Sequence, residues 1–75
     1  MKDTMQSYTI VSTIMLTFLT ARDSYDALLD PAPNTRLWSD GVTIWYEKDG
    51  VRTESITTAN AIDLWLARGS IKLET

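Results

Sequence analysis

The chain has 75 residues with neither Cys nor His, and its ten acids against seven bases leave a net charge of −3. That excludes disulfide staples and zinc, iron–sulfur or haem ligation through Cys or His, and it leaves room for one small domain. A chain of this size buries only about 60–65% of its unfolded surface, so stability rests on apolar packing, to which homo-oligomerisation could add. The bases Lys2, Arg22, Arg36, Lys48, Arg52, Arg68 and Lys72 are never adjacent. Phosphate neutralisation needs a clustered basic face, so direct nucleic-acid binding is not expected. A Cys-free chain suits a reducing compartment, and a cytoplasmic location is expected.

Met5 to Ala21 is the most apolar run. It is barely long enough to span a bilayer, and Gln6, Ser7, Thr9, Ser12, Thr13, Thr17 and Thr20 interrupt it. Asp3 beside Lys2 spoils the basic start of a signal peptide. Neither membrane insertion nor secretion is expected. The same run reads two ways. With period 2, Tyr8, Ile10, Ile14, Leu16 and Phe18 share a face; with period 3.6, Val11, Ile14, Phe18, Ala21, Tyr25 and Leu28 do. No Gly, Pro or Asn interrupts the stretch before Pro31, and a strand averages about five or six residues. Length therefore favours one long helix from Thr4 to Leu29, ending before Pro31. The alternative is a strand from Ser7 to Thr20 followed by a short helix.

Pro31 to Asn34 reads as a connector, Arg36 to Trp38 as a short extended piece, and Ser39-Asp40-Gly41 as a turn. VTIWYEK and VRTESIT flank Asp49-Gly50 and predict a β-hairpin. A two-residue loop places Glu47 opposite Arg52; a three-residue loop places it opposite Val51 and reverses one strand's faces. Thr57 or Thr58 is expected to cap a helix over Ala59 to Arg68, with Ile62, Trp65 and Leu66 facing inward and Gly69 stopping it. Ile71 and Leu73 alternate with Lys72 and Glu74, as in a short strand. The expected fold is α+β, ordered α-β-β-α-β, with both helices on one face of a small antiparallel sheet.

No motif in the chain points to a specific chemistry. The commonest general base and the strongest nucleophile are missing. Gly41, Gly50 and Gly69 are isolated and form no phosphate-binding loop. No enzyme, cofactor or metal is expected. Asp23, Asp26 and Asp30 fall at i, i+3 and i+7, one face of the expected helix. Such carboxylates can hold a divalent cation, but the spacing lacks a calcium loop and its glycine. A charge run on a helix is usually only a solvated face, and the functional reading set beside it is an acidic stripe that docks on a basic partner. The three tryptophans, Trp38, Trp45 and Trp65, are the other signal. Adjacent strand residues point to opposite faces, so only one of Trp45 and Tyr46 can join Trp65 in the core. Trp38 and Tyr46 are the expected aromatic anchors of a contact patch.

The expected function is a non-enzymatic protein-binding module that modulates a larger partner. A phage or mobile-element accessory inhibitor of a host defence complex, such as an anti-CRISPR protein, is one concrete form. The alternatives are an assembly subunit that self-associates through the N-terminal helix, and a small nucleic-acid-binding regulator.

Overall fold

The computed structural model describes residues 5–19 and 22–74. Seven strands, β1 (Gln6–Ile10), β2 (Ile14–Leu19), β3 (Ser24–Leu29), β4 (Thr35–Ser39), β5 (Ile44–Lys48), β6 (Val51–Ser55) and β7 (Ile71–Leu73), surround one helix, α1 (Asn60–Arg68). They form one antiparallel curled sheet in the order β3-β2-β6-β5-β4-β1-β7. Among the described residues no helix is long and apolar enough to cross a membrane.

The long N-terminal helix is not formed, and the α+β class is replaced by a mostly β fold. Thr4, its expected start, lies outside the described residues, as do Lys2, Asp3, Thr20 and Ala21. The period-2 pattern prevails: Tyr8, Ile10, Ile14, Leu16 and Phe18 are all buried, whereas Val11, Tyr25 and Leu28 of the helical stripe are exposed. The strand alternative came closer, yet the short helix it placed after Thr20 is strand β3. The run is broken after β1 and again after β2, with no Gly or Pro between the strands. The first break is fixed from outside, because the backbone N–H groups of Val11 and Ser12 both donate to the Ser70 carbonyl, at 2.8 and 3.1 Å. A carbonyl some sixty positions away leaves no local mark in the sequence.

The Asp49-Gly50 hairpin takes its two-residue register, with Lys48 opposite Val51 and Glu47 opposite Arg52. Both loop residues have positive φ, 53° and 85°, as a type I′ turn requires. Helix α1 stops at Gly69, which is left-handed, and the Gly69 and Ser70 N–H groups close its last turn. Its start differs from expectation. Ala59 is the N-cap and no side chain caps it, because Thr57 Oγ1 instead accepts the backbone N–H of Thr17 at 2.8 Å. That bond, with Ile56 N–H and the Ser55 hydroxyl both donating to the Thr17 carbonyl, joins β2 to β6 beside their single registered pair, Phe18 with Ser55.

The inner face of the curl carries Leu16, Leu37, Ile44 and Ile71, all essentially without exposure, and α1 lays Ile62 and Trp65 onto this core. Tyr46 points inward and Trp45 outward, opposite Trp38.

Gly50→Val is expected to cost about 1 kcal/mol or more in urea unfolding, from the strained positive φ alone, since a Cβ there meets nothing within 4 Å. Trp65→Ala should cost about 3–5 kcal/mol, close to the whole stability of a domain this small, and should lose most of its circular-dichroism signal. A Trp65→Ala variant that unfolds at the parent's urea midpoint would place Trp65 outside the core.

Candidate functional site

The expected site residues do not form one patch. Asp23, Asp26 and Asp30 lie on β3 or its flanks, not on a helix face, because the segment is extended. Asp26 and Asp30 accept the hydroxyls of Thr17 and Thr13 across the β2–β3 pair, both at 2.6 Å. Trp38 and Tyr46 sit on opposite faces of the sheet, because Leu37, not Trp38, pairs with Tyr46.

On the outer face Trp38 is held within a cross-strand network. Its indole Nε1 donates to Glu47 Oε1 at 2.7 Å, and the Arg52 guanidinium lies 4.0 Å above its ring while bonding the same Glu47 oxygen at 3.3 Å. Arg36 stands 5.9 Å from the Trp38 ring and 3.7 Å from Glu74. Ser7 and Thr9 donate their hydroxyls to Glu74, and these bonds, with Arg36 alongside, hold its carboxyl below the ordinary 4.5. The two arginines are thus matched by two glutamates, which leaves this face little unpaired positive charge for phosphates. Trp38 serves a sheet-spanning lattice more than it offers a free anchor.

The inner face differs at its two ends. Helix α1 covers the β1 and β7 end. At the other end a groove of about 280 Å³ stays open, lined chiefly by Phe18, Tyr25, Ala27, Leu29, Tyr46 and Val51. The rings of Tyr25 and Tyr46 flank Phe18 at centroid distances of 5.6 and 6.3 Å. Strand β3 forms both the groove wall and the end of the sheet. Tyr46 was the one groove residue legible beforehand. Tyr25, Ala27 and Leu29 alternate with Ser24, Asp26 and Leu28, a period-2 signal overridden by the helix reading. No ion-binding group of three or more acids is present among the described residues. Lys48 lines the groove as its one basic residue.

No family model, curated protein or solved structure matches the chain, so the geometry alone carries the functional argument.

Glu74→Gln should lower the urea midpoint at neutral pH. A carboxylate with a depressed folded value contributes stability that is present above its unfolded value and lost as pH falls through the folded one. The midpoints of parent and variant should therefore converge as pH falls below the ordinary carboxylate range. A gap that stays constant through acid would show that the loss comes from packing rather than charge.

Proposed function

We propose that the chain is a non-enzymatic protein-binding module that takes an extended, basic and apolar segment of a larger partner along β3 and into the open groove. The observation that carries this reading is the coincidence of a six-residue edge strand with an uncovered aromatic groove. An edge strand presents unpaired backbone N–H and C=O groups that an incoming strand can complete, while side-chain pockets beside it supply selectivity. The opposite edge, β7, is only three residues long and bears the exposed Lys72, a design that discourages pairing.

Charge favours a basic partner over a second copy. The span 22–30 carries Asp23, Asp26 and Asp30 against the single base Arg22. Two β3 edges brought together would crowd six carboxylates, and like charges across a strand pair repel. Among the groove's lining residues only Tyr25, Tyr46 and Lys48 carry ionisable side chains, which favours binding over acid–base chemistry. An inhibitor of a host defence complex is one form that such a modulator takes.

The test uses a photo-crosslinking residue at the exposed Leu28, with a second at the exposed Leu64 on α1 as control, followed by purification of the captured protein. Adding that protein should protect the Ser24–Leu29 amides from hydrogen exchange. The triple Asp23→Asn, Asp26→Asn, Asp30→Asn variant should associate more slowly at low salt and normally at high salt, whereas Tyr25→Ala should dissociate faster at every salt concentration. Protection confined to α1 or the outer face, or an unchanged association rate in the triple variant, would overturn the reading. Light scattering of the chain alone should give a monomer.

A further inference from the structure

A second cavity, of about 300 Å³, lies between the start of β1, the turn after β4 and the first turn of α1. Its polar wall includes Gln6, Tyr8, Asp40, Asn60 and Asp63 beside Ser39, whose hydroxyl accepts the Gly41 N–H, and Ile62 contributes apolar surface. Tyr8 is only 9% exposed, with its ring in the core. No described group hydrogen-bonds the Tyr8 hydroxyl, the Gln6 or Asn60 amide, or the Asp63 carboxylate. Among the described residues no fully buried side-chain polar atom lacks a partner, so the Tyr8 oxygen opens to the cavity that its residue lines. Four unpartnered polar side chains thus converge on one hollow, and one of them belongs to a core residue. Solvation of a surface does not require that arrangement.

The remaining acid of the wall is fixed in place. Asp40 Oδ1 accepts the Val42 and Thr43 N–H groups at 2.9 and 2.8 Å, leaving Oδ2 for an outside donor. These backbone bonds, Thr43 first and Val42 second, also hold the Asp40 carboxyl below its ordinary 3.8. The cavity therefore has two carboxylates and no base in its wall. The positive end of the α1 dipole offsets about half a charge, so the site stays negative. It is rich in acceptors and short of cationic donors. A hard metal ion would want six or more oxygens at once, and no cluster of three or more acids exists among the described residues.

We propose that this cavity binds a small organic cation carrying a primary ammonium or guanidinium group. Asp40, Asp63 and the Tyr8 hydroxyl accept its N–H donors, and Ile62 packs against its carbon chain. A free amine and a Lys or Arg side chain of another protein present the same chemistry. The site shares no residue with the groove, so either assignment can fail alone.

The test is a titration of the ¹⁵N-labelled full chain, followed by amide chemical shifts, with agmatine as the free cation and 1,4-butanediol as a neutral molecule of similar reach. A third arm uses a Gly-Arg-Gly peptide blocked at both ends. Agmatine should give saturable shifts confined to the backbone around Gln6–Tyr8, Asp40–Gly41 and Ala59–Asp63. Asp63→Asn should weaken binding about tenfold or more, as loss of a charge-assisted bond does, and Tyr8→Phe by a smaller factor. If Asp63→Asn does not fold, Asp40→Asn decides, because its amide oxygen still accepts the two turn bonds. Peptide binding as tight as agmatine assigns the cation to a partner protein, and binding at least tenfold weaker assigns it to a free amine. Equal affinity for butanediol, no saturation by about 20 mM agmatine, or unchanged affinity in the folded Asp variant would overturn the proposal.

Discussion

The whole structure depends on a connection that is too short for a flat sheet. Strands β1 and β2 follow one another with only Val11, Ser12 and Thr13 between them, yet β6, β5 and β4 separate them in the sheet. Four strand spacings of about 4.8 Å make roughly 19 Å in a flat sheet. The chain from Ile10 to Ile14 reaches about 14 Å at full extension. The sheet must curl until the end of β1 and the start of β2 approach across its inner side. Apolar alternation supplies the reason for the curl to hold, since Ile10 and Ile14 both end in the core. The Ser70 carbonyl then fastens the turn by accepting two of its N–H groups.

Curling gives the single sheet an inside and an outside with different chemistry. One short amphipathic helix is available to close the inside, and Ile62 and Trp65 fill the end near β1 and β7. A nine-residue helix is about 13–14 Å long, while seven strands would span close to 30 Å if flat. Part of the inner face is therefore left uncovered, and the aromatic groove is what remains. The cavity at the first turn of α1 arises similarly, where the helix meets the start of β1 and the turn after β4.

The outside is stabilised by polar pairs across strands rather than by burial. Trp38, Glu47 and Arg52 span β4, β5 and β6, while Arg36, Glu74, Ser7 and Thr9 tie β4, β1 and the end of β7. Each exposed pair contributes about 0–1 kcal/mol, but stacking of a guanidinium on indole adds to it and the partners fix strand register. Thr–Asp bonds repeat the pattern between β2 and β3. The Asp26 and Asp30 carboxylates therefore fix the β2–β3 pairing while still carrying charge along that end of the sheet.

Local patterns placed the hairpin and the helix of the second half of the chain. They did not place the hairpin register, the N-cap, which is Ala59, or Leu66, which is exposed rather than inward. Asp49-Gly50 demands positive φ at both turn positions, Gly69 a left-handed stop, and Ile62 with Trp65 a buried helix face; each is a short-range requirement. The inward direction of Tyr46 was narrowed to two choices by strand alternation, and Leu37, its cross-strand partner, decided it. The first half was not legible, because apolar residues there satisfy periods of 2 and 3.6 together and the breaks carry no Gly, Pro or Asn. Only long-range partners choose between them: Ser70 for the β1–β2 turn, Thr57 and Ser55 for the β2–β6 seam. The groove and the polar cavity belong to the same category. Their walls come from strands and a helix distant in sequence, so composition determined the absence of Cys and His chemistry, and tertiary packing alone decided which aromatics and carboxylates stand together.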